Sequence, residues 1–173
     1  MEEAGLILVF TGKGKGKTTA ALGCAIRAKG RNKKVVLIQF LKGSNTGELS
    51  LIRELNLFPI YRFGTENFFY PESPDQKIVD LVKKGIKFAL KLVSSGEFDI
   101  LILDELNLVF HWGIAEPDEF LRAVETFPEE KHIIITGRCA PESIIKRADL
   151  VTEMREVKHY FTGTGKPVEG LDL

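Results

Sequence analysis

The 173-residue chain contains only two cysteines, Cys24 and Cys139, too far apart to form a metal-type spacing. Their scarcity excludes a disulfide framework and fits a reducing compartment, with both thiols expected to be buried or partly buried. Neither sign of charge is in surplus, since Lys plus Arg is 24 and Asp plus Glu is 24. That balance argues against a general nucleic-acid binder, which needs a basic excess, and leaves room for one concentrated patch. Long apolar runs are also missing: the longest, residues 6–10, is far too short to cross a bilayer. The opening Met1-Glu2-Glu3 has no basic stretch of the kind that begins a secretory leader. A cytoplasmic protein with no membrane and no nucleic-acid partner is expected. No repeat, linker or compositional break divides the chain, so residues 1–173 are expected to form one domain.

Short apolar runs alternate with longer amphipathic stretches. Runs at 6–10, 35–40, 57–63 (weakened by Pro59), 100–103, 132–136 and 150–154 predict strands. Continuous apolarity, rather than period-two alternation, indicates strands covered on both faces and therefore a parallel sheet. Between them, 18–29 predicts a small-residue helix closed by Gly30, and Ile78, Leu81, Val82, Ile86, Ala89, Leu90 and Val93 trace one helical face ended by Ser95-Gly96. Pro117 and Pro141 each open a shorter helix. This rhythm is that of a doubly wound α/β domain. The expected form is a P-loop, RecA-like three-layer fold, with a mostly parallel central sheet of about six strands and helices on both faces.

The chemistry is concentrated after the first strand, in Thr11-Gly12-Lys13-Gly14-Lys15-Gly16-Lys17-Thr18-Thr19. Glycines let consecutive N–H groups converge on phosphate oxygens, and a helix N-terminus adds its positive end. Lys17 would reach terminal phosphates and the Thr18 hydroxyl would ligate Mg²⁺. The loop is one residue shorter than the usual Gly-x4-Gly-Lys-Ser/Thr pattern, so the triphosphate need not lie as it does in a γ-phosphate hydrolase. Asp104-Glu105, at the end of the fourth strand, are the candidate Mg²⁺ carboxylates, and strand position alone does not choose between them. Parallel strands gather their C-terminal ends, so Arg138 after the fifth strand and Lys42 after the second are candidates to line the same site.

These segments resemble one family in order. Besides the loop, the shared stretches are 36–42 with Gly47-Glu48, Leu103-Asp104-Glu105-Leu106-Asn107, Ile134-Ile135-Thr136-Gly137-Arg138 and residues 148–154. In the tail, Val157-Lys158-His159 is followed by Phe161, Gly165-Lys166 and Gly170. The chain is similar to the bacterial ATP:corrinoid adenosyltransferases over nearly its whole length. The resemblance implies that ATP and Mg²⁺ are bound and that a cobalt(I) corrinoid attacks the 5′ carbon of the ribose, releasing triphosphate. It further implies a triphosphate reversed in the loop, cradled by Gly12, Lys13, Gly14, Lys15, Gly16, Lys17, Thr18 and Thr19. Glu105 would be the carboxylate nearest Mg²⁺, with Asp104 beside it. A homodimer is implied, as is a flavoprotein-type electron donor for cobalt reduction.

The family also places aromatic residues against the corrinoid, where they drive off the lower axial ligand before reduction. The matching stretch is Gly64-Thr65-Glu66-Asn67-Phe68-Phe69-Tyr70. Phe68 and Tyr70 take the places of the family's Phe-x-Trp pattern, with one extra residue before them; a one-place shift would substitute Phe69. Many relatives carry an N-terminal extension that folds over the neighbouring subunit's site. Residues 2–5 are too short to form such a helix, and 162–168 are an alternative closing segment. Two other readings stand beside this one. A generic P-loop ATPase or small-molecule kinase would want a lid of clustered arginines, which Arg53, Arg62, Arg138, Arg147 and Arg155 do not form. A non-catalytic corrinoid or nucleotide carrier would stop at one equivalent.

Overall fold

The computed structural model describes residues 5–66, 69–125, 130–160 and 165–172. Its elements in chain order are β1 (Ile7–Thr11), α1 (Lys17–Lys29), β2 (Val35–Lys42), α2 (Gly47–Glu54), β3 (Ile60–Thr65), α3 (Gln76–Ser95), β4 (Ile100–Asp104), α4 (Leu106–His111), α5 (Pro117–Glu125), β5 (His132–Thr136), α6 (Glu142–Arg147) and β6 (Leu150–Glu153). The strands form one six-stranded sheet in the order β3-β2-β4-β5-β1-β6. Every pairing is parallel.

Side chains alternate across the sheet and feed two cores. Ile7, Val9, Val36, Ile38, Phe40, Leu101, Leu103, Ile133 and Ile135 pack with α3, α4, α5 and Ile144 of α6 on one face. Phe10, Val35, Leu37, Ile102 and Ile134 pack with α1 and with Leu49 and Ile52 of α2 on the other. The apolar face foreseen for α3 is buried at Ile78, Val82, Ile86, Ala89 and Val93. Asp75 caps its first turn by accepting from the Lys77 N–H at 2.9 Å, and Gly96 ends it at φ 62. At Gly85 a Cβ would stand 2.5 Å from the Phe63 ring, so glycine is what lets this long helix press onto β3.

Three local expectations need correction. Gly30 remains helical at φ −61, and the left-handed residue that follows α1 is Asn32 at φ 59. Cys24 is partly buried as expected, but Cys139 is exposed. Helices α2 and α4, of eight and six residues, were not foreseen, because two turns or fewer carry little periodic signal. Among the described residues, no helix is long and apolar enough to cross a membrane.

Candidate active site

Parallel pairing brings Thr11, Lys42, Asp104 and Thr136 to one edge of the sheet, the edge at which α1 begins. The loop between β1 and α1 is shaped by close backbone approach. A Cβ on Gly12 would stand 2.4 Å from the Met154 carbonyl oxygen, and one on Gly14 would stand 2.8 Å from Arg155 backbone. The Gly14 N–H donates to the Met154 carbonyl at 2.7 Å, which fixes the loop to the residue after β6. Gly16, at φ 111, turns the chain into α1. The buried Lys17 ammonium folds back to donate to the Gly14 carbonyl at 2.7 Å.

Asp104 is fully buried and its acceptor sites are filled. Its Oδ1 accepts from the Thr18 hydroxyl at 2.8 Å and the Thr136 hydroxyl at 2.6 Å. Its Oδ2 accepts from Gln39 Nε2 at 3.0 Å and Lys42 Nζ at 3.2 Å. Burial alone would raise the pKa of this carboxyl; the Lys42 charge and the hydroxyl and amide donors outweigh it and hold the pKa below the ordinary value. Glu105 is arranged differently. Its backbone sits at φ 65, its N–H donates to Thr136 Oγ1 at 3.0 Å, and its Oε1 pairs with Lys42 Nζ at 3.0 Å. Its buried Oε2 has no partner among the described residues.

Lys42 reaches this cluster through a backbone irregularity. In β2, residues 36, 38 and 40 face the α3 side and 35 and 37 the α1 side. Strict alternation would send residue 42 away from Asp104. Leu41 instead adopts φ 63 and packs on the α3 side beside Phe40, so Lys42 turns to the α1 side. A left-handed leucine costs roughly 1 to 2 kcal/mol. Gly64 accommodates it, since a Cβ there would meet Lys42 N at 2.3 Å. Burial would lower the Lys42 pKa, but Asp104 and Glu105 raise it above the ordinary lysine value.

Of the residues singled out from sequence, Lys17, Thr18, Lys42, Asp104 and Glu105 come together. Burial, opposed by Glu105 and reinforced by Arg138 and Lys42, lowers the Lys17 pKa, which places the exposed Arg138 within electrostatic range of the same group. Lys13 and Thr19 are exposed beside the loop. Lys15 pairs with Asp172, which also accepts from the Tyr160 hydroxyl. Tyr70 is exposed, whereas Phe69 is half-buried and stacked on Trp112 with ring centroids 4.8 Å apart. Phe68 lies outside the described residues, as do residues 162–164 of the proposed closing segment and residues 2–4 near the start. Thr136 and Gln39, both bonded to Asp104, were not foreseen as parts of the site. Lone polar residues ending or interrupting buried apolar runs were the signal. A separate cavity of about 300 Å³ opens at the other end of the sheet, beside Leu6, Leu8, Ile100 and Ile134. It contains none of these groups.

No group of three His, Cys, Asp or Glu among the described residues is arranged to hold a metal ion by itself. The Thr18 hydroxyl and the Glu105 carboxylate are donors of the kind Mg²⁺ takes beside substrate oxygens and waters. Glu105, whose Oε2 has no partner among the described residues, shares the Lys42 ammonium with Thr18 Oγ1 and Asp104 through its Oε1, and fits that requirement.

A parallel sheet with this loop, hydroxyl and carboxylate pair at its carboxyl edge defines an α/β protein whose ligands belong at that edge. The chain belongs to the ATP:corrinoid adenosyltransferase family BtuR/CobO/CobP, whose model matches residues 3–172. It is 34% identical over 173 residues to the corrinoid adenosyltransferase of Pseudomonas aeruginosa, covering 99% of this chain and 85% of that protein. With the corrinoid adenosyltransferase of Escherichia coli strain K12 it shares 35% over 173 residues, covering 99% and 87%. With the corrinoid adenosyltransferase CobA of Salmonella typhimurium it shares 34% over 174 residues, covering 99% and 87%. The flagellar accessory protein FlaH from Methanocaldococcus jannaschii shares the architecture, with a TM-score of 0.52 at 16% identity over 88% of this chain and 72% of that one.

Proposed function

We propose that the cluster around Asp104 binds MgATP and that this chain transfers the 5′-deoxyadenosyl group of ATP to the cobalt(I) of a corrinoid. The cobalt electron pair forms the new bond to C5′, the C5′–O bond breaks, and intact triphosphate leaves. The attacking centre carries no proton, so no general base is needed. The protein's part is to align donor and acceptor and to stabilise the charge on the leaving group. The fold supports a P-loop, RecA-like reading: one strand, β5, separates β1, which leads into the glycine loop, from β4, which ends in the carboxylates.

In this reading Gly12, Gly14, Gly16 and Lys17 cradle the triphosphate, with Lys13, Lys15, Thr19, Lys42 and Arg138 lining its approach. Thr18 and Glu105 hold Mg²⁺, and Asp104, already saturated, orients Thr18 and Lys42. Bound there, Mg²⁺ neutralises charge on the triphosphate. Glu105 rather than Asp104 is the direct ligand because its Oε2 is the carboxylate oxygen left without a partner among the described residues. Phe68 and Tyr70 face the corrinoid; the stacking of Phe69 on Trp112 supports leaving Phe69 to the core. A homodimer and a flavoprotein-type donor complete the proposal.

The observation that carries this reading is the convergence of Thr18, Lys42, Asp104 and Glu105 in a chain of this family. Chemically reduced cobalamin, cobinamide or an earlier corrinoid is incubated with MgATP, and the cobalt–carbon absorbance is followed with triphosphate and orthophosphate measured in parallel. Adenosylated product with one triphosphate per turnover is expected. Orthophosphate without adenosylation, or product that stops at one equivalent, would overturn it.

A further inference from the structure

The Lys42 ammonium sits 3.0 Å from Glu105 Oε1, 3.2 Å from Asp104 Oδ2 and 3.2 Å from Thr18 Oγ1. These oxygens belong to the same three side chains assigned above to the metal and its immediate support. A positive charge of this chain's own thus lies among them. The placement has a structural cause: without the left-handed turn at Leu41, Lys42 would point to the opposite face of the sheet.

From this geometry we infer that Lys42 is a tethered stand-in for the divalent cation, so that the site takes up metal only together with the polyphosphate. The inference rests on the metal assignment made above and adds a gate to it. With Lys42 in place, two carboxylates already face one ammonium, and an incoming free divalent ion meets a like charge a few ångströms away. A polyphosphate changes that balance by offering Lys42 a new set of anionic oxygens next to the loop. The side chain is 37% exposed and is therefore free on one side to move outward. Thr18 Oγ1 and Glu105 are then released to the metal. Lys42 acts as a positioning residue for ordered entry: nucleotide first or together with metal, never metal alone.

Mn²⁺ serves as the probe, and the ion held by the purified full chain is read by equilibrium dialysis, in which Mn²⁺ bound to free ATP counts equally on both sides. The wild-type protein should bind Mn²⁺ weakly alone and at least about tenfold more tightly with ATP present. Lys42→Met should bind Mn²⁺ without nucleotide at least about tenfold more tightly than wild type, and adding Glu105→Gln should remove that gain. Lys42→Gln repeats the test with a polar side chain, and the wild-type comparison with and without ATP needs no variant. Nucleotide-independent Mn²⁺ binding that is unchanged in both Lys42 variants would overturn the gate while leaving the metal site intact. No ATP-dependent Mn²⁺ uptake by wild type would instead bring down the metal assignment, and the gate with it.

Discussion

The two halves of the site are made differently. On the side assigned to the nucleotide, Asp104 has no exposure and four donors, and the loop above it is set by backbone contacts with Met154 and Arg155. On the side assigned to the corrinoid, the described aromatics after β3 are Tyr70, which is exposed, and Phe69, which is anchored through Trp112. One half is preorganised by buried polar bonds and tight backbone; the other relies on side chains carried by a loop. A small, highly charged group calls for the first arrangement, because fixed dipoles and charges act strongly only where water is excluded. A broad apolar ring calls for the second, where surface area and adjustment matter more than exact angles.

Substitutions should separate the halves, with the largest effect at the phosphate loop. Lys17→Ala should cut adenosyl transfer by about a hundred- to a thousandfold while also weakening MgATP binding, as steady-state kinetics and calorimetry would record. Asp104→Asn should lower stability by about 2 to 3 kcal/mol, because the new amide NH₂ confronts donors and the part-exposed Lys42 loses its buried partner. Thermal or urea unfolding reads that loss. Glu105→Gln should leave unfolding nearly unchanged yet raise the Mg²⁺ needed for half-maximal transfer by about tenfold or more. An opposite pattern, with Asp104→Asn stable but metal-hungry, would reverse the two roles.

The aromatic side should respond more mildly. Phe69→Ala should cost about 1 to 2 kcal/mol of stability, since it removes a half-buried ring and its stacking on Trp112. Tyr70→Ala should change stability by less than about 0.5 kcal/mol. It should lose activity mainly when cobalt must be reduced on the protein, and much less when cobalt(I) is supplied. Equal losses in the two assays would remove its proposed role at the corrinoid face. If Tyr70→Ala destabilises the fold as much as Asp104→Asn does, the contrast between the halves fails.

The same contrast decides what the sequence revealed. Apolar runs gave the strands because burial on both faces needs them, and the glycine loop was legible because few other backbones can present converging N–H groups. Helices α2 and α4 are too short for periodicity to mark. Thr136 and Gln39 were hidden because a single polar residue in a buried strand looks like any other until its partner across the sheet is known. Leu41 was the least legible of all. Nothing in Phe40-Leu41-Lys42-Gly43 announces a left-handed leucine, because the cause lies in Gly64 of the neighbouring strand and in the charges Lys42 meets.

The bond from Gly14 N–H to the Met154 carbonyl spans 140 residues of chain. Residues that shape the glycine loop are therefore made by the ribosome well over a hundred residues after the loop itself. A nascent chain that already contains the whole glycine loop still lacks the strand that holds it, and closing so long a span is entropically slow. Nucleotide affinity should accordingly be a late event in folding, appearing only after β6 has docked on the edge of β1. A premature stop before residue 150 would yield a sheet with its loop sequence intact and its phosphate cradle unformed.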